Sequence, residues 1–527
     1  MYGIQGLRAA DTTTTGPRMT AQAPDVRELI VHTETGDVRG IVVDGVCTWR
    51  GIPYAAPPVN DLRFRAPQPA TAWREVRDAG SFGPIPMQKR GFEAMCGAGA
   101  RTPISEDCLT INVSAPMRHN SQLRPVVFWI YGGGFTLGGS RGELYRGNRI
   151  VLAGDVVFVS FNYRLGIFGF VDLSSWSTTD CQIDSNLGLR DQVAALQWVQ
   201  RNIATFGGDP DNVTIVGESA GAMSVVSLMC IPSAAGLFHR AFAMSACGFT
   251  AYSQERHRLW AEALVKSLKL NPGDNTAVAH ELKSLPAENL VTAASNFFYD
   301  TAPDAHPGVL PSSPVVDGDF LPRHPIDAFE DGTAHRLPLV IGTMSREGAL
   351  LHRALPVICS RVSRLDAMFE QTAPALRGRI IQAYPGYPSK KTAIDVAGDF
   401  TFWLPTVRIA SAHSRLADCW VYRFDYAAPL TRLMFGEATH GLDLPMLFGT
   451  TGEGEMGRFD LFRRRSSKQI SQRFQGTFLD FVHGRSPRWS RYDEQGRLTR
   501  IFDTIDREEG DPRRERRLAW ADFKGPP

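Results

Sequence analysis

Two kinds of apolar run alternate along this chain. One kind is short and continuous: Pro125–Ile130, Val156–Phe161, Arg240–Met244, Leu337–Ile341 and Cys419–Phe424. Such runs suit strands whose two faces are both covered, as in a parallel sheet between layers of helices. The other kind has helical spacing. Between Leu187 and Phe206, apolar residues recur at Val193, Leu196, Val199 and Ile203, and Gly207-Gly208 stops the run. Leu109–Val113 reads as a further strand, and the Pro-rich stretch Gly51–Pro58 cannot be helical. From Leu29 to Val46, short β-compatible pieces are broken by Gly36 and Gly45, as in a small antiparallel system. Strands alternating with helices predict an α/β protein: a central, mostly parallel twisted sheet, helices on both faces, and a small N-terminal antiparallel sheet. No internal repeat or linker is visible after residue 30, so residues 28–527 are expected to form one domain. Residues 1–27, polar and rich in threonine, are expected to be disordered, with Met19 as an alternative start.

One stretch departs from plain packing logic. Asn212-Val213-Thr214-Ile215-Val216 runs as a strand into Gly217-Glu218-Ser219-Ala220-Gly221, and Ala222–Val226 then suits a helix. A serine on so sharp a strand-to-helix turn needs small neighbours, which Gly217 and Gly221 supply. The turn lifts the hydroxyl clear of the sheet, and the helix N-terminus offers N–H groups to a developing anion. A second Gly-x-Ser-x-Gly, Gly138–Gly142, follows a glycine-rich loop and precedes no clean apolar helix. Ser219 is therefore the favoured nucleophile over Ser140.

A serine hydroxyl needs a base, and the base an orienting acid. Four histidines lie well downstream: His352, His413, His440 and His483. His352 lies in a helix-like run, His413 in a helical surface pattern, and His483 near a helix end. His440 stands in a loop after a strand and is the favoured base. Glu347, in a short polar loop after the strand Leu337–Ile341, is the leading acid. Asp317 and Asp425 are its rivals, although Asp317 in Val315-Val316-Asp317-Gly318 also suits a turn. Acyl transfer also needs donors for the carbonyl oxygen. Tyr131-Gly132-Gly133-Gly134-Phe135 follows an apolar strand directly, and the expected donors are the N–H groups of Gly133, Gly134 and Ala220. Glu218 reads as a buried, hydrogen-bonded support beside the nucleophile.

Composition narrows the partners. Lys and Arg number 57 against 55 Asp and Glu, a net charge of +2, and no basic stripe is interleaved with aromatics. That argues against a nucleic-acid partner. The basic clusters Arg463–Arg465 and Arg513–Arg517 read as solvated faces. No apolar signal-peptide core and no uncharged 18-residue span appear, so no membrane span and a cytoplasmic location are expected. The eight cysteines do not make a disulfide framework, although Cys96 and Cys108 are near enough in sequence to pair. No metal-ligand spacing is present, so neither metal nor cofactor is expected.

These motifs together resemble the type-B carboxylesterases, the family of the cholinesterases and bacterial para-nitrobenzyl esterases, from about residue 30 to 505. The resemblance is carried by Gly51–Ala55, Leu62–Phe64, Ser105–Val113, Tyr131–Phe135, Asn162–Gly166, Asn186–Gln192, Phe206–Pro210, Gly217–Gly221, Glu347-Gly348 and His440-Gly441. It implies an α/β-hydrolase fold and a cofactor-free serine carboxylesterase acting on a small-molecule ester. By the same resemblance Ser219, Glu347 and His440 are nucleophile, acid and base. Gly133, Gly134 and Ala220 are the oxyanion donors, and Ser245 is a support behind the acid. A lipase-like member acting on lipid esters, or a non-catalytic adhesion relative, are the alternatives; all three triad positions are filled here. The tryptophan of the cholinesterase choline site has no counterpart around Gly97-Ala98-Gly99. The half-cystine of secreted relatives is likewise missing from Gly83–Gln88. Phe135, Phe249, Phe402 and Trp403 line an apolar pocket or belong to the core.

Overall fold

The computed structural model describes residues 29–91, 102–117, 122–354, 359–451 and 464–525. The expected disorder of 1–27 and the Cys96 half of a Cys96–Cys108 pair lie outside them; Cys108 itself is a buried free thiol.

The organising element is an 11-stranded sheet. In chain order its strands are β1 (Ile41–Val43), β2 (Val46–Pro53), β3 (Thr110–Pro116), β4 (Arg124–Ile130), β5 (Val157–Phe161), β6 (Gly208–Glu218), β7 (Arg240–Met244), β8 (Leu339–Met344), β9 (Cys419–Phe424), β10 (Leu498–Phe502) and β11 (Arg507–Gly510). Across the sheet they run β11-β10-β9-β8-β7-β6-β4-β5-β3-β2-β1. From β5 through β10 neighbours are parallel, and the strands at both edges are antiparallel. Every residue of β4, β5 and β8 is buried, which is why these segments read as unbroken apolar runs. A separate small sheet pairs Ile30–Thr33 antiparallel with Gly36–Arg39. Its third strand, Arg77–Asp78, joins parallel, so this sheet is mixed rather than purely antiparallel.

Several polar side chains of these motifs are fasteners. Arg164 and Asp191, both buried, form a bidentate pair at 2.8 and 2.6 Å, joining the loop after β5 to the helix Leu187–Asn202. Gln192 on that helix donates to Ser224 Oγ at 2.9 Å, on the helix behind Ser219. Arg63 likewise grips Glu106 at 2.7 and 2.5 Å. Buried charges persist only when matched like this, since breaking either partner strands an ion in low dielectric.

The order of β4, β5 and β6 reverses the winding of the sheet beside β6. Ligands in such sheets gather at the carboxyl ends of strands near a reversal. The carboxyl ends of β4, β6, β7 and β8 are where Gly133, Ser219, Ser245 and Glu347 follow.

Candidate active site

β6 ends at Glu218, and the helix Ala220–Leu228 begins one residue later. Ser219 makes the turn alone, at φ 60° and ψ −123°, a region that L-residues avoid. Two hydrogen bonds hold it there: its N–H donates to Met244 O at 2.9 Å, and its carbonyl accepts from Met223 N–H at 2.9 Å. A Cβ on Gly217 would stand 2.3 Å from Gly221 O, and one on Gly221 would stand 2.1 Å from Ile130 O. Nothing larger than glycine fits at either position. Ser140, the other serine in this pattern, is buried and accepts from Asn112 Nδ2 at 3.0 Å while its N–H donates to Asn162 Oδ1 at 2.9 Å. It fastens the loop after β4.

Glu347 stands three residues past β8, with 3% of its surface exposed. Its Oε1 accepts from Met344 N–H at 2.8 Å and from the Ser245 hydroxyl at 2.7 Å. Its Oε2 lies 2.7 Å from His440 Nδ1. A carboxylate can only accept, so Nδ1 carries the proton and Nε2 of a neutral ring keeps its lone pair. The loops that carry Glu347 and His440 are laced together. Arg346 N–H donates to Ala438 O at 2.9 Å, the Thr439 hydroxyl donates to Glu347 O at 3.3 Å, and Leu350 N–H donates to Thr439 Oγ1 at 2.9 Å. The Phe402 ring covers the imidazole at 4.6 Å between centroids.

On the far edge of the ring, His440 Nε2 lies 3.2 Å from Glu218 Oε1, the residue next to Ser219. Glu218 is buried as expected, but its Oε1 accepts no hydrogen bond among the described residues. Burial, opposed by His440, pushes this carboxyl up to about 7. Burial opposes the charged form of His440, but Glu218 and the bond from Glu347 outweigh it and raise the ring to about 9. Asp443, fully buried and bonded to the Tyr422 hydroxyl at 3.0 Å, is pushed up to about 7 by burial and then by Glu218 and Glu347. Protons in such a cluster belong to the group, not to one residue.

The glycine loop after β4 wraps round this turn. Gly133 has φ 120°, and a Cβ there would stand 2.1 Å from Leu137 O. Its carbonyl accepts from Thr136 N–H and Leu137 N–H, both at 3.1 Å. Among the described residues the N–H groups of Gly133 and Gly134 donate to no backbone or side-chain acceptor. Tyr131 stacks on Tyr163 at 4.5 Å, and the Tyr163 hydroxyl donates to Tyr131 O at 2.6 Å.

A profile of the Carboxylesterase family matches residues 27–509. The chain belongs to the carboxylesterase family. It is a carboxylic-ester hydrolase with the α/β-hydrolase fold. It is 37% identical over 503 residues to the para-nitrobenzyl esterase of Bacillus subtilis (strain 168), covering 94% of this chain and 99% of the relative. The phenmedipham hydrolase of Pseudarthrobacter oxydans is 34% identical over 431 residues, 80% of this chain and 82% of that one. Among solved structures, a thermophilic para-nitrobenzyl esterase superposes with a TM-score of 0.84 at 37% identity, covering 93% of this chain and 99% of its own.

The rival residues of this carboxylesterase are occupied elsewhere. Asp317 accepts from Asp319 N–H at 3.1 Å and Leu321 N–H at 2.9 Å, as a turn residue does. Asp425 pairs with Arg423 at 2.7 Å. His352 Nδ1 meets Ser360 Oγ at 2.6 Å, and His483 Nε2 meets Gly154 O at 2.7 Å. His413 is buried and bonds Leu337 O at 2.7 Å, so its helix does not present it to solvent as expected. Of the four aromatics in question, Phe402 faces the imidazole and Phe135 packs on Phe170 at 4.2 Å. Phe249 lines a small cavity with Tyr252, Leu310 and Phe400, and Trp403 lines a different one beside Arg513.

Sequence reasoning missed Met344, Thr439 and Asp443. The first acts through its main chain, which leaves no residue signature. Asp443 did have one: a carboxylate three residues beyond a candidate base. Among the described residues no helix is long and apolar enough to cross a membrane, and no group of three or more His, Cys, Asp and Glu could hold a metal ion.

Proposed function

We propose that the enzyme hydrolyses small carboxylic esters through an acyl-serine at Ser219. His440 Nε2 takes the Ser219 proton as the hydroxyl attacks the ester carbonyl. Negative charge on the carbonyl oxygen is met by the N–H groups of Gly133, Gly134 and Ala220. The protonated ring then gives its proton to the leaving alcohol, and water repeats the sequence to release the acid. Glu347 fixes the Nδ1–H tautomer and offsets the charge the ring acquires. No cofactor enters the cycle.

The observation that carries this reading is the 2.7 Å bond from His440 Nδ1 to Glu347, with Nε2 directed at the residue adjoining Ser219. We read residues 28–527 as one catalytic unit, because the glycine loop, nucleophile, acid and base follow strands of one continuous sheet. A cytoplasmic setting suits the buried thiols Cys108, Cys181, Cys247, Cys359 and Cys419.

The test is hydrolysis of para-nitrophenyl esters of graded acyl length by the wild type and by Ser219→Ala. The variant should lose roughly 10⁴-fold or more in kcat while keeping the wild-type Tm. Activity within tenfold of wild type would end the proposal. A jump in rate above the solubility limit of the longer esters would point to lipid esters instead.

A further inference from the structure

Arg513, just before the helix Arg514–Ala519, touches three parts of the site's support. Its Nη1 lies 2.5 Å from Asp399 Oδ1, its Nη2 donates to Ser345 O, and its guanidinium carbon lies 5.6 Å from the centre of the Trp403 ring. Ser345 is two residues before Glu347. Asp399 opens a π-helical turn, Asp399–Trp403, and the fourth residue of that turn is Phe402, whose ring covers His440. Single π turns recur at functional sites because the wide turn re-aims side chains at a cost in helix stability. Something must hold this one.

The Asp399 carboxylate, 4% exposed, is held from the carboxyl-terminal side of the molecule. Besides Arg513 it accepts from Arg516 Nη1 at 2.9 Å and from the Tyr384 hydroxyl at 2.8 Å, and Trp520 Nε1 donates to that same hydroxyl at 2.9 Å. The two supports also meet directly: a Cβ on Gly398 would stand 2.8 Å from Gly348 N and 3.4 Å from Glu347 Cβ. Yet apolar packing does not fill the space around Arg513. A cavity of about 600 Å³ opens beside it, lined by Ser345, Glu347, Gly398, Asp399 and Arg516. The acid loop and the π turn are therefore coupled across this space by a planar fork of donors. Lysine could match the charge but not the fork.

We propose that Arg513 is a positioning residue for the catalytic base. It holds the Glu347 loop and the Phe402 turn in register, so that the acid at one edge and the aromatic ring over the face fix one orientation of His440. This rests on the triad reading above. Arg516 is the internal contrast. It also grips Asp399, but among the described residues it makes no bond to the Glu347 loop, so it supports the π turn alone.

The experiment compares Arg513→Gln, Arg513→Lys and Arg516→Gln with wild type and Ser219→Ala, measuring kcat, KM and Tm on a short para-nitrophenyl ester. Arg513→Gln should lose roughly 10- to 100-fold in kcat, the scale of a slight misplacement of a reacting group, with KM within about twofold. Arg513→Lys should recover most of the Tm but only part of kcat. Arg516→Gln should lower Tm comparably to Arg513→Gln yet keep kcat within about threefold. If Arg513→Gln does not fold, the Arg513→Lys comparison decides. The proposal is overturned if the Arg513 variants keep kcat within threefold, or if Arg516→Gln loses as much kcat as Arg513→Gln at a comparable drop in Tm, while Ser219→Ala is dead. If Ser219→Ala stays active, the triad reading fails first and this proposal falls with it.

Discussion

Two buried glutamates flank one imidazole, and they are not treated alike. Glu347 has a main-chain donor, a hydroxyl donor and the ring Nδ1–H arranged around its two oxygens. Glu218, on the opposite edge, offers Oε1 to Nε2 at 3.2 Å with no hydrogen bond to that atom. Burial removes water from both. Among the described residues, donors surround the Glu347 carboxylate, whereas none reaches Glu218 Oε1. At Glu218 the missing donors leave desolvation in control, and its carboxyl rises to about 7. The two glutamates therefore differ in the donors around them, not in residue type.

The largest effect should come from breaking the satisfied side. Glu347→Gln presents an amide that can donate to Nδ1 and favour the wrong tautomer, so kcat should fall by roughly 10³- to 10⁴-fold with little change in Tm. Steady-state kinetics beside a thermal melt checks both. Removing one donor behind the acid should cost less. Ser245→Ala deletes a hydrogen bond to a charged group, worth about 1.5–3 kcal/mol, and kcat/KM should drop roughly 10- to 100-fold.

Glu218→Gln sharpens the contrast through pH. His440 must be neutral to accept a proton, so activity falls as pH drops through its titration. The ring is raised by Glu218 and Glu347 together. Removing the Glu218 charge lowers the ring's pKa, and the acidic limb of the kcat/KM profile should move to lower pH, with the rate at its plateau reduced by no more than about tenfold. A limb that stays in place, or moves to higher pH, would mean that Glu218 does not act on the ring. The smallest effect is expected at the other motif serine: Ser140→Ala should leave kcat within about twofold, since among the described residues its hydroxyl only accepts from Asn112.

What could be read from the sequence tracks how local the constraint is. The Ser219 turn was legible because its physics is local, with glycines demanded within two residues on either side. The strands β7 and β9 coincide with their apolar runs, whereas β10 and β11 were not foreseen. Their segments, Leu-Thr-Arg-Ile-Phe and Arg-Glu-Glu-Gly, are short and carry charge, with β11 at the sheet edge, and neither gives the unbroken apolar run of a buried strand. On residues alone Glu347 leads Asp317 and Asp425 only narrowly, because its donors from Met344 and Ser245 are supplied only by folding. Arg513 and Arg516 were misread for the same reason. A basic run looks solvated until its partner, Asp399, arrives from 114 and 117 positions away.

The most direct test of the central claim is to trap the acyl-enzyme. Wild-type protein quenched in acid during turnover of a slow-deacylating para-nitrophenyl ester should gain one acyl mass, located by peptide mass spectrometry on Ser219. His440→Ala should acquire that mass orders of magnitude more slowly. An acyl group on Ser140, or rapid turnover with no acyl adduct on Ser219, would contradict the account.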